Sequence, residues 1–371
     1  MILVRHAEAE GNLYRRAHGQ FNSLLTKNGL EQCERLGEWF SRRPVDAVYS
    51  SDLYRTARTA EAAASACRKT VVTDAALREL NLGEWEDRTW GELGRTWDVN
   101  LWFNKTAPWS PMGAERVEDG GRRVYQTLSR LAAAHEGEVI AVVSHGCVLR
   151  EFLETVTGGQ VPHLDNASVS LVEWENGKFR ADFIGDNRHL GELSTFAKQA
   201  WWREDPDNRD TELWFSPVRL PMDLDAALEY SRDTWYSVYN SLEGFYDEAA
   251  TAALLESAAT DPRYLQFAME GNTRIGMIHM RDTGRLSVTD GHIALLCLDH
   301  GRRGLGLGAQ LLGEAVSVAR KHGKTGISLR VYHKNTSATA FYNKMGFAVC
   351  GSEKGLFGTL LQMRLNIEVP R

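Results

Sequence analysis

The chain opens on MILVRHAEAEGN, in which the apolar run Ile2-Leu3-Val4 is too short for a helix and ends at once in Arg5 and His6. A run of that kind reads as a strand buried on both faces. It delivers two anion-seeking side chains at its C-terminal end, where open α/β sheets bind their ligands. The pattern recurs: Val139 through Val143 is continuously apolar and ends in Ser144-His145-Gly146, so a second histidine arrives at a strand end. Ala47-Val48-Tyr49 reads as another short strand. The SSDLYRTARTA that follows places Arg55 in the first turn of a helix capped by Ser51 or Asp52, where backbone N–H groups and the helix dipole favour an anion. Between the first two strands, Thr26 is a plausible N-cap for a helix whose apolar face holds Leu30, Cys33, Leu36, Gly37 and Phe40.

Glu79 lies between Leu77 and Leu80 just before a glycine-containing turn, a partly buried setting in which a carboxyl group can act as a general acid. Glu84 and Glu86 read as solvated neighbours. From Trp85 to Trp109 the chain carries five tryptophans among polar residues, which we read as a segment covering a pocket. Phosphoryl transfer needs cationic donors on the phosphoryl oxygens, a nucleophile in line with the leaving oxygen, and an acid to protonate that oxygen. Arg5, His6, Arg55, Glu79 and His145 supply that set.

The totals bound the alternatives. A chain of 371 residues is long for one domain and comfortable for two. With 43% hydrophobic and 25% charged residues it has a globular composition, and no apolar run reaches membrane-spanning length. A net charge of −6 without a basic stripe argues against nucleic acid. Cys33, Cys67, Cys147, Cys297 and Cys350 are scattered, suggesting neither a disulfide framework nor a zinc site. The N-terminus lacks a signal-peptide pattern, so the cytoplasm is the expected compartment. A homo-oligomer is compatible with the sequence.

The order and spacing of LVRHAE…N, SSDLYRTARTA, LRELNLGEWE and VVSHG resemble the histidine phosphatase superfamily over residues 1 to about 190. The resemblance implies a three-layer α/β/α, phosphoglycerate mutase-like domain. It makes His6 the nucleophile that becomes a phosphohistidine, Arg5, Arg55 and His145 the groups on the phosphoryl oxygens, Asn12 a further phosphate contact, and Glu79 the proton donor. Two positions depart from the family pattern. Ala7 replaces the glycine after the histidine, adding a methyl group where the backbone is tight, and Gly113-Ala114-Glu115-Arg116 stands where Gly-Gly-Glu-Ser is expected. The superfamily holds phosphatases and mutases; the short domain and its GEWE stretch favour hydrolysis of a small-molecule phosphomonoester.

A polar stretch, AKQAWWREDPDNRDTE, then divides the chain, so we expect domains at 1–197 and 212–371 joined by a linker at 198–211. LWFSPVRL reads as a strand. A helix beginning at Asp223 or Asp225 and a second over FYDEAATAALLESAAT, residues 245–260, follow, and Gly271-Asn272 makes the turn of a hairpin. HIALLCLDH, another buried strand, runs directly into GRRGLGLGAQLLGEAVSVARKHG. Glycines there let the backbone approach a pyrophosphate that helix-start N–H groups bind.

Followed by GISLRVYH and NTSATAFYNKMGF, the R-x-x-G-x-G segment resembles the Gcn5-related N-acetyltransferase (GNAT) family over about residues 212 to 366. The resemblance implies an α+β domain with a mixed sheet and an acetyl-CoA (acyl-CoA) cosubstrate. Leu298, Arg303, Gly304, Gly306, Gly308, Ala309 and Asn335 would contact the cofactor, and Tyr342 would protonate the departing thiolate. Phe341 reads as core packing. His279, His292 and Asp299 lie near the expected site without any of them standing out as the base. Trp235, Tyr236, Tyr239, Phe245 and Tyr246 with nearby acids suit a cationic amine acceptor. The expected protein is a bifunctional α/β enzyme, phosphatase and N-acetyltransferase, needing no metal. A phosphatase regulated by a non-catalytic, acyl-CoA-binding second domain is the alternative.

Overall fold

The computed structural model describes residues 1–199, 212–282 and 287–370. From residue 200 on, the expected linker, with Trp201 and Trp202, lies outside the described residues. Among the described residues the chain divides into two compact units, 1–88 and 93–199 with 369–370 in one, and 89–92 with 212–368 in the other.

The N-terminal unit runs β1 (Ile2–Arg5), α1 (Glu10–Tyr14), α2 (Lys27–Ser41), β2 (Ala47–Ser50), α3 (Tyr54–Cys67), β3 (Val71–Thr73), α4 (Trp90–Thr96), α5 (Val99–Phe103), α6 (Val117–Ala134), β4 (Ile140–Ser144), α7 (Gly146–Thr157), β5 (Val169–Glu175), β6 (Lys178–Asp186) and α8 (Thr195–Lys198). Among the described residues its strands form a six-stranded sheet in the order β3-β2-β4-β1-β5-β6. β1, β2, β3 and β4 run parallel, and β5 and β6 close the edge antiparallel. The short apolar runs become the central strands because both their faces are covered: Val4, Val48, Ala141 and Val143 are fully buried, packed with Leu36 and Phe40 of α2 and Ala60 and Ala63 of α3.

Three local expectations need correction. Leu30 is 43% exposed, and Gln32, fully buried, takes its place on the inner face of α2, its side-chain amide bonded to Leu193 O and its Oε1 to Glu8 N. The N-cap of α3 is Leu53 with no side-chain bond, since Ser51 and Asp52 are engaged with His145 and Arg78. The tryptophan tract packs on itself rather than covering a pocket. Trp85 is fully buried, its ring 5.4 Å from Trp102 and 6.0 Å from Trp109, and Trp97 and Trp109 lie 4.8 Å apart. Trp85→Ala is therefore expected to cost about 3–5 kcal/mol, read as a lower denaturation midpoint; a loss below about 1 kcal/mol would mean the cluster is not a core.

The C-terminal unit runs β7 (Trp214–Pro217), α9 (Leu224–Tyr239), α10 (Asp247–Thr260), β8 (Leu265–Glu270), β9 (Thr273–Arg281), β10 (Asp290–Leu298), α11 (Gly308–Lys321), β11 (Gly326–Tyr332), α12 (Thr336–Lys344), β12 (Ala348–Gly355) and β13 (Gly358–Asn366). Among the described residues these strands make a mixed seven-stranded sheet, β12-β13-β11-β10-β9-β8-β7, in which only β10 and β11 are parallel neighbours. That pair is joined only from Asp290↔Gly326 to Ile293↔Leu329. An irregularity between Ile293 and Leu295 turns β10, and the two strands separate beyond it, leaving a gap between Leu295–Leu298 and Arg330–Tyr332.

Candidate functional site

In the N-terminal unit the sheet register assembles the first site. Arg5 pairs with Ser144 across β1 and β4, and Ser50 with Val143 across β2 and β4, so the residues after these strands emerge side by side. His6 N donates to Ser144 O at 3.0 Å and Ser51 N to Val143 O at 3.0 Å. The rings of His6 and His145 lie edge to face with centroids 5.3 Å apart. The loop before β5 fixes the end of β1 from the other side: Ala167 N donates to the carbonyls of Arg5 and His6, and Asn166 Nδ2 to His6 O at 3.1 Å.

His6 Nδ1 lies 2.7 Å from the carbonyl of Ala7, which assigns the proton to Nδ1 and leaves Nε2 as the nucleophilic nitrogen. Burial, then the Arg55 and Arg5 charges, hold its pKa well below 6.5, so the ring is neutral at neutral pH. Burial and Arg55 act in the same direction on His145. Its Nε2 lies 2.9 Å from Ser51 Oγ, while Nδ1 is buried without a partner. Arg55 is 2% exposed and donates to the carbonyls of Gly19 at 2.6 Å and Phe21 at 3.0 Å; burial lowers its pKa to about 10. Arg5 donates through Nη1 to Leu164 O, and its Nε is buried without a partner. Asn12 is placed less directly than expected, since its Oδ1 accepts from Ala9 N and Asn166 Nδ2. The methyl of Ala7 is buried with Ala9, Leu25, Ala167 and Leu190, so the backbone accommodates it.

Glu79 stands at the start of α7, where its carboxylate accepts from Cys147 N at 3.0 Å and Val148 N at 3.2 Å, and from its own neighbour Leu80 N at 3.0 Å. The helix that begins just after His145 therefore seats the carboxyl group next to that histidine. Glu86 is not a bystander: its Oε1 accepts from Gln20 N and Leu82 N. Sequence reasoning missed Ser51 as the partner of His145, because a serine beside a strand end has many ordinary uses.

The C-terminal unit builds a second site from the gap between β10 and β11. Gly304 and Gly306 have φ of +79° and +85°, left-handed values that favour glycine. Gly308 serves packing instead: a Cβ there would come within 3.1 Å of the Phe341 ring. Backbone bonding resumes at Ala309 N, which donates to Gly306 O, and the N–H groups of 304–308 have no backbone partner among the described residues. Arg303 turns its side chain away from this row, donating from Nε to Leu298 O at 2.8 Å and reaching Asp233 at 3.4 Å. Asn335 uses its Oδ1 to cap α12 at Ala338 N.

Tyr342 is 8% exposed, and burial followed by the nearby Cys297 of β10 raises its pKa, so the phenol is a neutral donor facing the separated part of that strand. Of the candidate bases, His279 is buried against Ser257 Oγ at 2.9 Å with its pKa lowered to about 4 by burial, and His292 lies 3.2 Å from Ser328 Oγ. Asp299, whose charge adds to burial in raising the pKa of the nearby Tyr230, lines an open cleft of about 470 Å³ with Glu229, Asp233, Arg274 and His300. Trp235, Tyr239 and Phe245 gather with Tyr332 and Phe357, whereas Tyr236 and Tyr246 are 52% and 68% exposed. Among the described residues no group of three or more His, Cys, Asp or Glu side chains could hold a metal ion, and no helix is long and apolar enough to cross a membrane.

Comparison with known proteins finds a family match in each unit. The family model "Histidine phosphatase superfamily (branch 1)" matches residues 1–187, and "Acetyltransferase (GNAT) family" matches residues 224–347. The "Probable phosphoglycerate mutase GpmB" of Proteus mirabilis is 35% identical over 209 residues, covering 52% of this chain and 96% of that protein. Its counterpart from Salmonella paratyphi A is 32% identical over 205 residues, covering 51% and 94%. Among solved structures, Bacillus stearothermophilus YhfR is 28% identical with a TM-score of 0.48, covering 51% of this chain and 98% of its own. The chain belongs to the histidine phosphatase superfamily through its N-terminal half and carries a GNAT acetyltransferase domain in the same polypeptide.

Proposed function

We propose that residues 1–197 hydrolyse a small phosphomonoester through a phosphohistidine on His6 and that residues 212–371 N-acetylate a small amine. The observation that carries the first half is the His6 ring, neutral, with Nδ1 held on the Ala7 carbonyl, Nε2 available, and Arg5, Arg55 and His145 around it. His6 Nε2 forms a bond to phosphorus as the ester P–O bond breaks. Glu79 gives its proton to the leaving oxygen. A water then attacks phosphorus, Glu79 takes the water's proton, and the P–N bond breaks to restore His6. Arg5 and Arg55 balance the charge on the phosphoryl oxygens, and the neutral His145 ring offers them an N–H at Nδ1.

For the second half, the N–H groups of 304–308, without backbone partners, and the gap between β10 and β11 fit an acyl-CoA, which when bound supplies the activated acyl group. Tyr342 holds a proton at its hydroxyl for the departing sulfur. Asp299, with Asp233 and Glu229 beside it, offers a carboxylate-lined cleft in which a cationic amine can be held and deprotonated.

The test is a paired assay of the purified full chain: hydrolysis of 4-nitrophenyl phosphate, and acetyl-CoA-dependent acetylation across a panel of primary amines. Both activities are expected. Tyr342→Phe should lower acetylation by about 10- to 100-fold while leaving hydrolysis intact. Acyl-CoA binding without acetylation of any amine would instead favour a regulatory second domain.

A further inference from the structure

The segment that carries Glu79 has no regular structure: residues 78–82 belong to neither helix nor strand. No sheet ladder or helix therefore holds the proton donor's own backbone. Arg123, on α6, does. Its Nη1 donates to the carbonyls of Ala76 and Arg78 at 2.8 Å each, and its Nη2 to the carbonyl of Glu79 itself at 3.3 Å. The remaining N–H groups go to Glu115, from Nε to Oε1 at 2.9 Å and from Nη2 to Oε2 at 2.7 Å. All five guanidinium donors are thereby used on one short segment and one carboxylate. Glu115 completes the clamp, since its own N–H donates to Asn81 O at 2.8 Å and its Oε2 accepts from Asn81 N at 3.4 Å.

We infer that Arg123 and Glu115 form a positioning pair that sets where the Glu79 carboxyl group stands relative to the leaving oxygen. The inference rests on the reading of Glu79 as proton donor. A carboxylate alone would leave the carbonyls of 76 and 78 without these donors and that of 79 with Gln20 Nε2 at 3.1 Å, and a guanidinium alone would be a partly buried unpaired charge; together they tie down the carbonyls of three residues, 76, 78 and 79. A lysine cannot reproduce the arrangement, because its three donors radiate from one atom.

Positioning of an acid has a signature that general destabilisation lacks: in the phosphorylation half of the reaction, which kcat/KM reports, it matters only when the leaving group needs a proton. 4-Nitrophenolate departs without one, whereas the alkoxide of β-glycerol phosphate does not. In the full-length protein, Arg123→Lys and Glu115→Gln are expected to lower kcat/KM for β-glycerol phosphate by about 10- to 100-fold and for 4-nitrophenyl phosphate by less than about threefold. Glu79→Gln should show the same contrast more strongly, and adding Arg123→Lys to it should cost little more. Equal losses on both substrates, accompanied by a lower thermal midpoint, would reduce the pair to a stability role and overturn the inference. A contrast in Glu79→Gln that Arg123→Lys lacks would do so while leaving the phosphatase reading intact. Equal losses in Glu79→Gln, or no turnover of either ester by wild type, would remove the underlying reading and the inference with it.

Discussion

Replacing His6 by alanine is expected to abolish hydrolysis of 4-nitrophenyl phosphate, a fall of at least about 10³-fold, because the two-step route through a covalent intermediate has no substitute nucleophile. His145 is the nearest alternative, with its ring centroid 5.3 Å away, but its Nε2 is engaged with Ser51. Rapid quenching of wild type with a phosphate ester should trap a phosphoenzyme that is stable in base and lost in acid, and His6→Ala should trap none. Hydrolysis that survives in His6→Ala would place the nucleophile elsewhere. Acetylation by the second domain should be unchanged in the same preparation, which separates loss of chemistry from loss of folding.

Acidification should destabilise the N-terminal unit steeply. His6 and His145 both have folded-state pKa values held well below 6.5 by burial and by Arg55. The unfolded chain therefore binds their protons first as pH falls. Their contribution to stability is complete above pH 6.5 and is lost as pH falls from there toward the folded values. Each such group is worth about 1.4 kcal/mol per pH unit inside that window, so the pair removes about 3 kcal/mol per unit. Glu8, whose pKa burial raises, has the opposite sign: its contribution is present below 4.5 and lost as pH rises through its folded value. Denaturant midpoints at pH 7.5, 6.5 and 5.5 measure the slope. A His6→Gln, His145→Gln double variant should flatten it by the pair's share, and an unchanged slope would mean that these rings are not buried neutral. Catalysis should follow the same sign, with activity retained somewhat below pH 6.5 because the nucleophile stays unprotonated there.

Much of both sites was legible in the chain. Short apolar runs ending in Arg5-His6 and Ser144-His145 become adjacent parallel strands, since residues with no polar face can only go where both faces are covered. Gly304 and Gly306 were legible for a similar reason: left-handed backbone leaves few residue choices. The tract from Trp85 to Trp109 was not, because five tryptophans read alike whether they roof a pocket or fill a core, and only their mutual distances distinguish the two. On α2 the periodic stripe was right while its edge was wrong. Leu30 lost its place to Gln32 because Glu8, Leu193 and Thr195 offer that amide a full set of partners.

What the sequence alone determined are the groups whose chemistry or backbone conformation is specific to a residue type: the paired histidines, the arginines beside them and the glycine turn. Tertiary structure alone decided where long side chains point. Arg303 leaves its own loop for Leu298 and Asp233, and Arg123 reaches backbone carbonyls at 76 to 79. The acceptors there are main-chain oxygens that every residue possesses, so such bonds leave no trace in the residue types they join.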